Sequence, residues 1–192
     1  MFEKALAAIK AGHPAAIPTD TTFGLVADAS NPAAIEQLYA LKGRPTGQPF
    51  QVLVNSLNMA QSLAEFSIEA KHIARTFWPG PLTLVLPFKA NAPISKTVTG
   101  SRPTIGMRWP ENEALCNLIS ELGKPLVASS ANRSGEMPLK TAEAIRDAFP
   151  QLVVEDGEAA GTASTIAELR DGELILYRQG VITESMLREA IA

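Results

Sequence analysis

The chain has 192 residues, 46% of them hydrophobic and 19% charged, with a net charge of −3. That is enough chain to bury a substantial core in one domain, and too apolar a composition for intrinsic disorder. No stretch approaches the roughly 18 consecutive apolar residues that a membrane span needs, and a single cysteine, Cys116, excludes an internal disulfide.

Residues 1–11 carry an amphipathic helical pattern that Gly12 ends. Glu3, Lys4 and Lys10 interrupt it too often for the apolar region of a signal peptide. With the lone cysteine this suits a reducing compartment, so the cytoplasm is the expected location. Residues 15–18 read as a short apolar strand running into the hydroxyl-rich turn TDTTFG. Asn31 is placed to cap a helix with Pro32 at its first position and Ile35, Leu38 and Leu41 on one face. KGRPTGQP stops that helix.

A strand over 50–54 and two helices over 57–64 and 67–77 are predicted next. WPGP then breaks the chain, with Phe77 and Trp78 read as a packed aromatic pair, and LTLVLPF is a strand. Residues 90–103 read as an exposed loop and 104–108 as a strand. A helix then ends at Gly123, with Cys116 in its apolar stripe beside Leu115 and Ile119. A buried strand over 126–129 enters SSANRSG. A helix over 141–149, strands near 152–155, 163–167 and 173–178, and a helix over 183–191 capped by Thr183 complete the chain. Interleaved strands and helices predict an α/β fold: one domain over residues 1–192 with a twisted mixed sheet flanked by helices.

Charge is unevenly placed. Twelve Lys/Arg face seven Asp/Glu between Lys42 and Arg146, against five and thirteen outside. A basic middle in an acidic chain points to a local anion site, although part of it is solvated helix surface. Several chemistries are missing. There is no phosphate-binding G-x-x-x-x-G-K-[ST] loop, no G-x-G-x-x-G fingerprint and no G-x-S-x-G elbow. His13 and His72 have no metal-ligand spacing and read as solvated. An enzyme built from these residues works by positioning and electrostatics.

The informative segments lie at strand ends and turns, where α/β sites form. Lys42 and Arg44 flank a glycine at a helix end; they suit a phosphate, or equally the helix dipole. Ser130 and Asn132 follow a buried strand, where small polar groups cradle an anion or simply form a turn. Arg108 ends a strand and needs a partner, either a ligand carboxylate or a structural Asp or Glu.

Taken in order, seven segments resemble the YrdC family, the L-threonylcarbamoyladenylate synthases. They are Pro18–Leu25, Lys42–Pro45, Trp78–Thr83, Met107–Pro110, Ser130–Gly135, Ser164–Ile166 and Arg178–Ile182. They stand where that family has PTETVYGL, KGRP, WPGPLT, V-R-x-P, S-A-N-x-S-G, S-T-I/V and R-x-G-x-I. The resemblance implies a reaction in which L-threonine takes up bicarbonate and the carbamate attacks the α-phosphorus of ATP. Pyrophosphate leaves, and threonylcarbamoyl-AMP serves N6-threonylcarbamoyladenosine formation on tRNA.

By the same resemblance Lys42, Arg44, Ser130 and Asn132 form the catalytic group, and Lys42 and Arg44 compensate the triphosphate. Gln48, Thr104, Asn132 and Arg178 contact ATP. Thr19, Thr21, Arg108, Ser130 and Ser164 hold threonine, with Arg108 on its carboxylate. Mg2+ rides on the triphosphate rather than in a protein-built cage. The chain departs from the pattern at Asp20, Phe23, Leu53, Ala163 and Gln179, where the family has Glu, Tyr, His, Glu and Pro. It resembles the family's short form, which implies separate proteins for the threonylcarbamoyl transfer, no membrane partner, and RNA contacts through a basic surface. Alternatives are a paralogue without synthase activity, an RNA-binding module, and a hydrogenase-maturation carbamoyl-transfer domain, which normally sits in a longer chain with zinc-finger-like cysteines.

Overall fold

The computed structural model describes residues 2–170 and 172–191. Among them, α1 (Glu3–Lys10) leads into β1 (Ala15–Ile17), β2 (Gly24–Asp28), α2 (Pro32–Lys42) and β3 (Gln51–Leu53). α3 (Leu57–Leu63), α4 (Ile68–Phe77), β4 (Leu82–Pro87), a 3-10 turn (Lys96–Thr99), β5 (Thr104–Arg108) and α5 (Glu113–Leu122) follow. β6 (Leu126–Ser130), α6 (Ala142–Ala148), β7 (Val153–Val154), β8 (Thr165–Arg170), β9 (Glu173–Arg178) and α7 (Glu184–Glu189) complete the order.

The helix ends follow their local chemistry. The Asn31 side chain accepts from Ala33 N and Ala34 N with Pro32 in the first turn, and Gly43 closes α2 at φ 58°. Ser56, Ser67, Asn112, Thr141 and Thr183 cap α3, α4, α5, α6 and α7 in the same way.

The strands form one mixed sheet in the order β7-β1-β2-β6-β3-β5-β4-β8-β9. β1/β7, β3/β5 and β4/β8 are parallel pairs and the other neighbours antiparallel. This is the expected mixed α/β sheet. Its two faces are covered unequally. On one, α2, α3, α4, α6 and α7 bury Ile35, Leu38, Leu63, Ile73, Ile145 and Leu187 against Leu25, Val52, Leu84, Met107 and Val127. On the other, Leu6 and Ile9 of α1 and Leu115, Leu118 and Ile119 of α5 pack on Ile17, Val26, Leu53 and Leu126. That second cluster stops at β3. Side chains alternate along a strand, and register places Gly24, Ser130, Ala128, Gln51, Gly106 and Arg108 on this same face. The polar residues of the sheet centre therefore look out where the helical cover ends.

Several readings change. The buried strand β2 follows the turn that Gly24 closes, over residues for which no element was predicted, because all five are buried and show no alternation. Residues 90–103 are not simply an exposed loop: they hold the 3-10 turn, and Ile94, Val98 and Thr99 are buried. β8 starts at Thr165, so Ser164 belongs to the turn before it. Trp78 meets Phe66 edge-on, with ring centroids 6.4 Å apart, in place of Phe77. Leu115 and Ile119 are buried, but Cys116 is only half-buried and donates to the Pro110 carbonyl. No helix among the described residues is long and apolar enough to cross a membrane.

Candidate anion-binding site

A cavity of about 300 Å³ opens at the edge of the α1/α5 cover. Seven of the residues singled out in the sequence line it: Thr19, Thr21, Arg44, Arg108, Ser130, Ser164 and Arg178. They come from the β1–β2 turn, the end of α2, and the ends of β5, β6, β8 and β9, so the sheet order brings them together.

The three arginines are held differently. Arg44 donates to the Pro49 carbonyl at 2.7 Å and to Ser129 Oγ at 3.5 Å, and its guanidinium lies 4.9 Å above the Phe50 ring. Arg178 donates to Ser164 O at 2.9 Å and Ser164 Oγ at 3.1 Å. Arg108 is buried, and its Nη1 donates to Asp20 Oδ1 at 2.7 Å. The Nε atoms of Arg44 and Arg108 are buried without a partner.

Burial pushes all three guanidinium pKa values down, and repulsion adds to it: Arg102 acts on Arg44, and Arg108 on Arg178. Arginine stays charged regardless. The result is a concave cluster of cations with unused donors, which a polyanion relieves.

Hydroxyls set the rest of the surface. Thr19 Oγ1 lies 3.0 Å from Thr21 Oγ1 and donates to the Thr22 carbonyl, while Thr21 N donates to Thr19 Oγ1. A buried chain runs along the floor: Thr83 Oγ1 donates to Gln51 Oε1 at 2.8 Å and lies 3.0 Å from Ser164 Oγ, which in turn meets Arg178. Gln51 was not singled out in the sequence, and Thr83 only as the end of the Trp78–Thr83 segment, with no site role assigned. A glutamine opening an apolar strand, and a threonine with buried neighbours on both sides, were the signals that strand alternation offered.

Four expected site residues stand outside the cavity lining. Lys42 is buried behind it, and its Nζ donates to Ser130 O at 2.8 Å, Asn132 O at 2.9 Å and Asn132 Oδ1 at 3.0 Å. An ammonium has three N–H donors, so all three are used on the turn and none is left to compensate a triphosphate here. Asn132 is likewise occupied. Its Oδ1 accepts from Lys42 and Ser130 Oγ, and its Nδ2 donates to the Arg133 and Glu136 carbonyls. These two residues shape the Ser130–Gly135 turn from behind. Gln48 is exposed on the loop after α2, where its carbonyl accepts from Tyr39 OH. Thr104 opens β5 opposite Pro87, on the same face as Gly106 and Arg108 but beyond the cavity.

Gly180 fixes the wall that carries Arg178. Its N donates to Thr165 Oγ1 at 2.9 Å, and a Cβ there would collide with the Ala163 carbonyl and fall 2.8 Å from Thr165 N. Gly180→Ala must push this turn away from Ser164. The expected cost is about 2 kcal/mol, read as a lower midpoint in thermal or urea unfolding, together with weaker anion binding in the cavity because Arg178 moves with the turn.

The family model Sua5_yciO_yrdC, described as telomere recombination, matches residues 7–180. The threonylcarbamoyl-AMP synthase of Bacillus subtilis (strain 168) is 34% identical over 98% of this chain and 56% of its own length. That of Vibrio vulnificus (strain YJ016) is 36% identical over 93% of this chain and 98% of its own. The solved structure of P. abyssi Sua5 complexed with L-threonine superposes with a TM-score of 0.90 at 32% identity, covering 98% of this chain and 56% of that one. The chain therefore spans about half the length of the Bacillus and Pyrococcus relatives and nearly all of the Vibrio one.

Proposed function

Because the chain belongs to the Sua5/YciO/YrdC family, we propose that it is a threonylcarbamoyl-AMP synthase, a nucleotidyltransferase that joins L-threonine, bicarbonate and ATP. The observation that carries this reading is the cavity itself. Three arginines converge in it, and among its described lining residues there is no Cys, His, Lys, Asp or Glu. Its Ser and Thr hydroxyls have no His, Lys, Asp or Glu among the described lining residues to activate them, which suits a reaction whose attacking group comes with the substrate. The threonine amine adds to bicarbonate, and the resulting carbamate oxygen attacks the α-phosphorus as pyrophosphate leaves. The protein's part is alignment and compensation of charge.

In this reading Arg44 and Arg178 face the phosphates, while Arg108 takes the threonine carboxylate and Thr19, Thr21, Ser130 and Ser164 its polar atoms. Lys42 and Asn132 act by holding Ser130. Gln48 and Thr104 contact the nucleotide outside the cavity. Magnesium enters as the ion of the nucleotide substrate. Asp20 is engaged by Arg108 and by Glu111 N. In this reading the triphosphate carries the ion. In this reading the product passes to separate transfer proteins acting on tRNA, and a cytoplasmic location suits that role.

Purified protein with MgATP, L-threonine and bicarbonate should release pyrophosphate and form threonylcarbamoyl-AMP, identified by its mass, and omission of either co-substrate should stop both. ATP binding without this product in folded protein would refute the synthase reading and favour a paralogue of different activity.

A further inference from the structure

The geometry points to Asp20 as a positioning residue for substrate recognition: it holds Arg108 by Nη1 at the cavity wall and leaves Nε without a partner, so that the carboxylate of the amino acid engages the donors that Asp20 does not use. This rests on the synthase reading and deepens it.

The first observation is an asymmetry among the arginines. Arg44 and Arg178 donate to carbonyl and hydroxyl oxygens alone, whereas Arg108 forms an ion pair. Both partners of that pair are withdrawn from water, with side-chain exposures of 3% for Arg108 and 11% for Asp20. A pair this buried fixes direction, because a displaced guanidinium would leave an uncompensated charge.

The second observation is that Asp20 is itself held at both oxygens. Oδ1 accepts from Arg108 at 2.7 Å and Oδ2 from the backbone N–H of Glu111 at 3.2 Å. The carboxylate thus ties the β1–β2 turn, which carries Thr19 and Thr21, to the turn after β5. Third, Arg108 Nε is buried and has no partner. A buried donor without an acceptor is costly, and a planar carboxylate is the shape that takes two parallel N–H donors from one guanidinium edge.

There is an electrostatic consequence as well. Asp20 offsets part of the Arg108 charge, whereas among the described residues Arg44 and Arg178 have no carboxylate partner. A monocarboxylate, which binds through one fork, is thereby directed to Arg108. The phosphates, which need charge, are directed to the other two arginines.

The test is threonine and ATP affinity, each measured by calorimetry on wild type and on variants with cooperative melting curves. Asp20→Asn is nearly isosteric, but an amide accepts at one atom only, so it cannot keep both bonds. It should weaken L-threonine by about tenfold or more, as loss of about 1.4 kcal/mol of interaction requires, and leave ATP within about twofold. Asp20→Glu retains two acceptor oxygens and should recover most of the loss. Glu111→Pro removes the backbone donor to Oδ2 at an exposed position. It should also weaken threonine selectively, and it carries the test if Asp20→Asn does not fold. Unchanged threonine affinity in these variants, or equal weakening of both ligands, would overturn the role of Asp20 alone. A wild-type protein that binds no threonine would overturn the synthase reading and this role with it.

Discussion

Lys42→Met is expected to lower the melting temperature by roughly 5–12 °C and to cut threonylcarbamoyl-AMP formation by about a hundredfold. Methionine keeps the apolar stem and removes the ammonium. Asn132 O is then left without a donor at a buried site, where a stranded acceptor costs about 1–3 kcal/mol, while Ser130 O keeps Asn132 N and Asn132 Oδ1 keeps Ser130 Oγ but each loses a charge-assisted bond. Among the described residues, the turn that presents Ser130 to the cavity has one other hydrogen bond across to α2, Ser134 N to Lys42 O. A displacement of about 1 Å at an aligned site is worth about two orders of magnitude in rate. Differential scanning calorimetry and steady-state kinetics on the same sample check both halves. Unaltered melting would mean that the ammonium is not what holds the turn.

The same group gives a pH signature. Burial first, then repulsion from Arg44, lowers the Lys42 pKa to about 8. Above that pH the amine keeps two donors for three acceptors, so activity should fall along a limb centred near pH 8, and this limb should be missing from Lys42→Met. Stability moves the other way. The unfolded chain keeps the proton to about 10.5, so between the two values the unfolded state binds more protons and this group's contribution to stability rises with pH. Falling activity without falling stability across pH 8 to 10 distinguishes a local loosening from unfolding.

Arg44→Ala should lower kcat/KM for ATP by about a hundredfold to a thousandfold while shifting the melting temperature by only a few degrees, about what the loss of one or two half-buried hydrogen bonds brings. The guanidinium is stacked on Phe50 and steered by the Pro49 carbonyl, with its Nε still unsatisfied. Arg44→Lys should recover little. An ammonium retains the charge but neither the flat contact with the ring nor the fork. Substantial recovery by lysine would mean that charge alone matters there and that orientation does not. Initial rates over a range of ATP at saturating threonine and bicarbonate separate these outcomes.

Local chemistry was legible in the sequence wherever it depended on near neighbours. Asn31 with Pro32 started α2 and Gly43 ended it, and the strands after Gly123 and after WPGP fell where apolar runs met turn residues. The segments that line the cavity were legible as well, because each is a polar turn at the end of an apolar strand. What the sequence by itself determined is therefore the set of elements, the mixed α/β class and the polar turns from which the site is drawn.

Only the tertiary structure decided which atom each polar residue spends on which partner. Lys42 and Arg44 are equivalent cations in the sequence, one residue apart. Yet Lys42 turns back to Asn132, 90 positions away, while Arg44 turns to the cavity. Asp20 stood out in the sequence only as a shorter acid, and its partner Arg108 lies 88 positions on. Such pairs are created by strand order: β2 against β6 and β3 against β5 bring four distant turns together at the centre of the sheet. No periodicity along the chain encodes that order, because it follows from which sheet face α1 and α5 cover and where their cover stops.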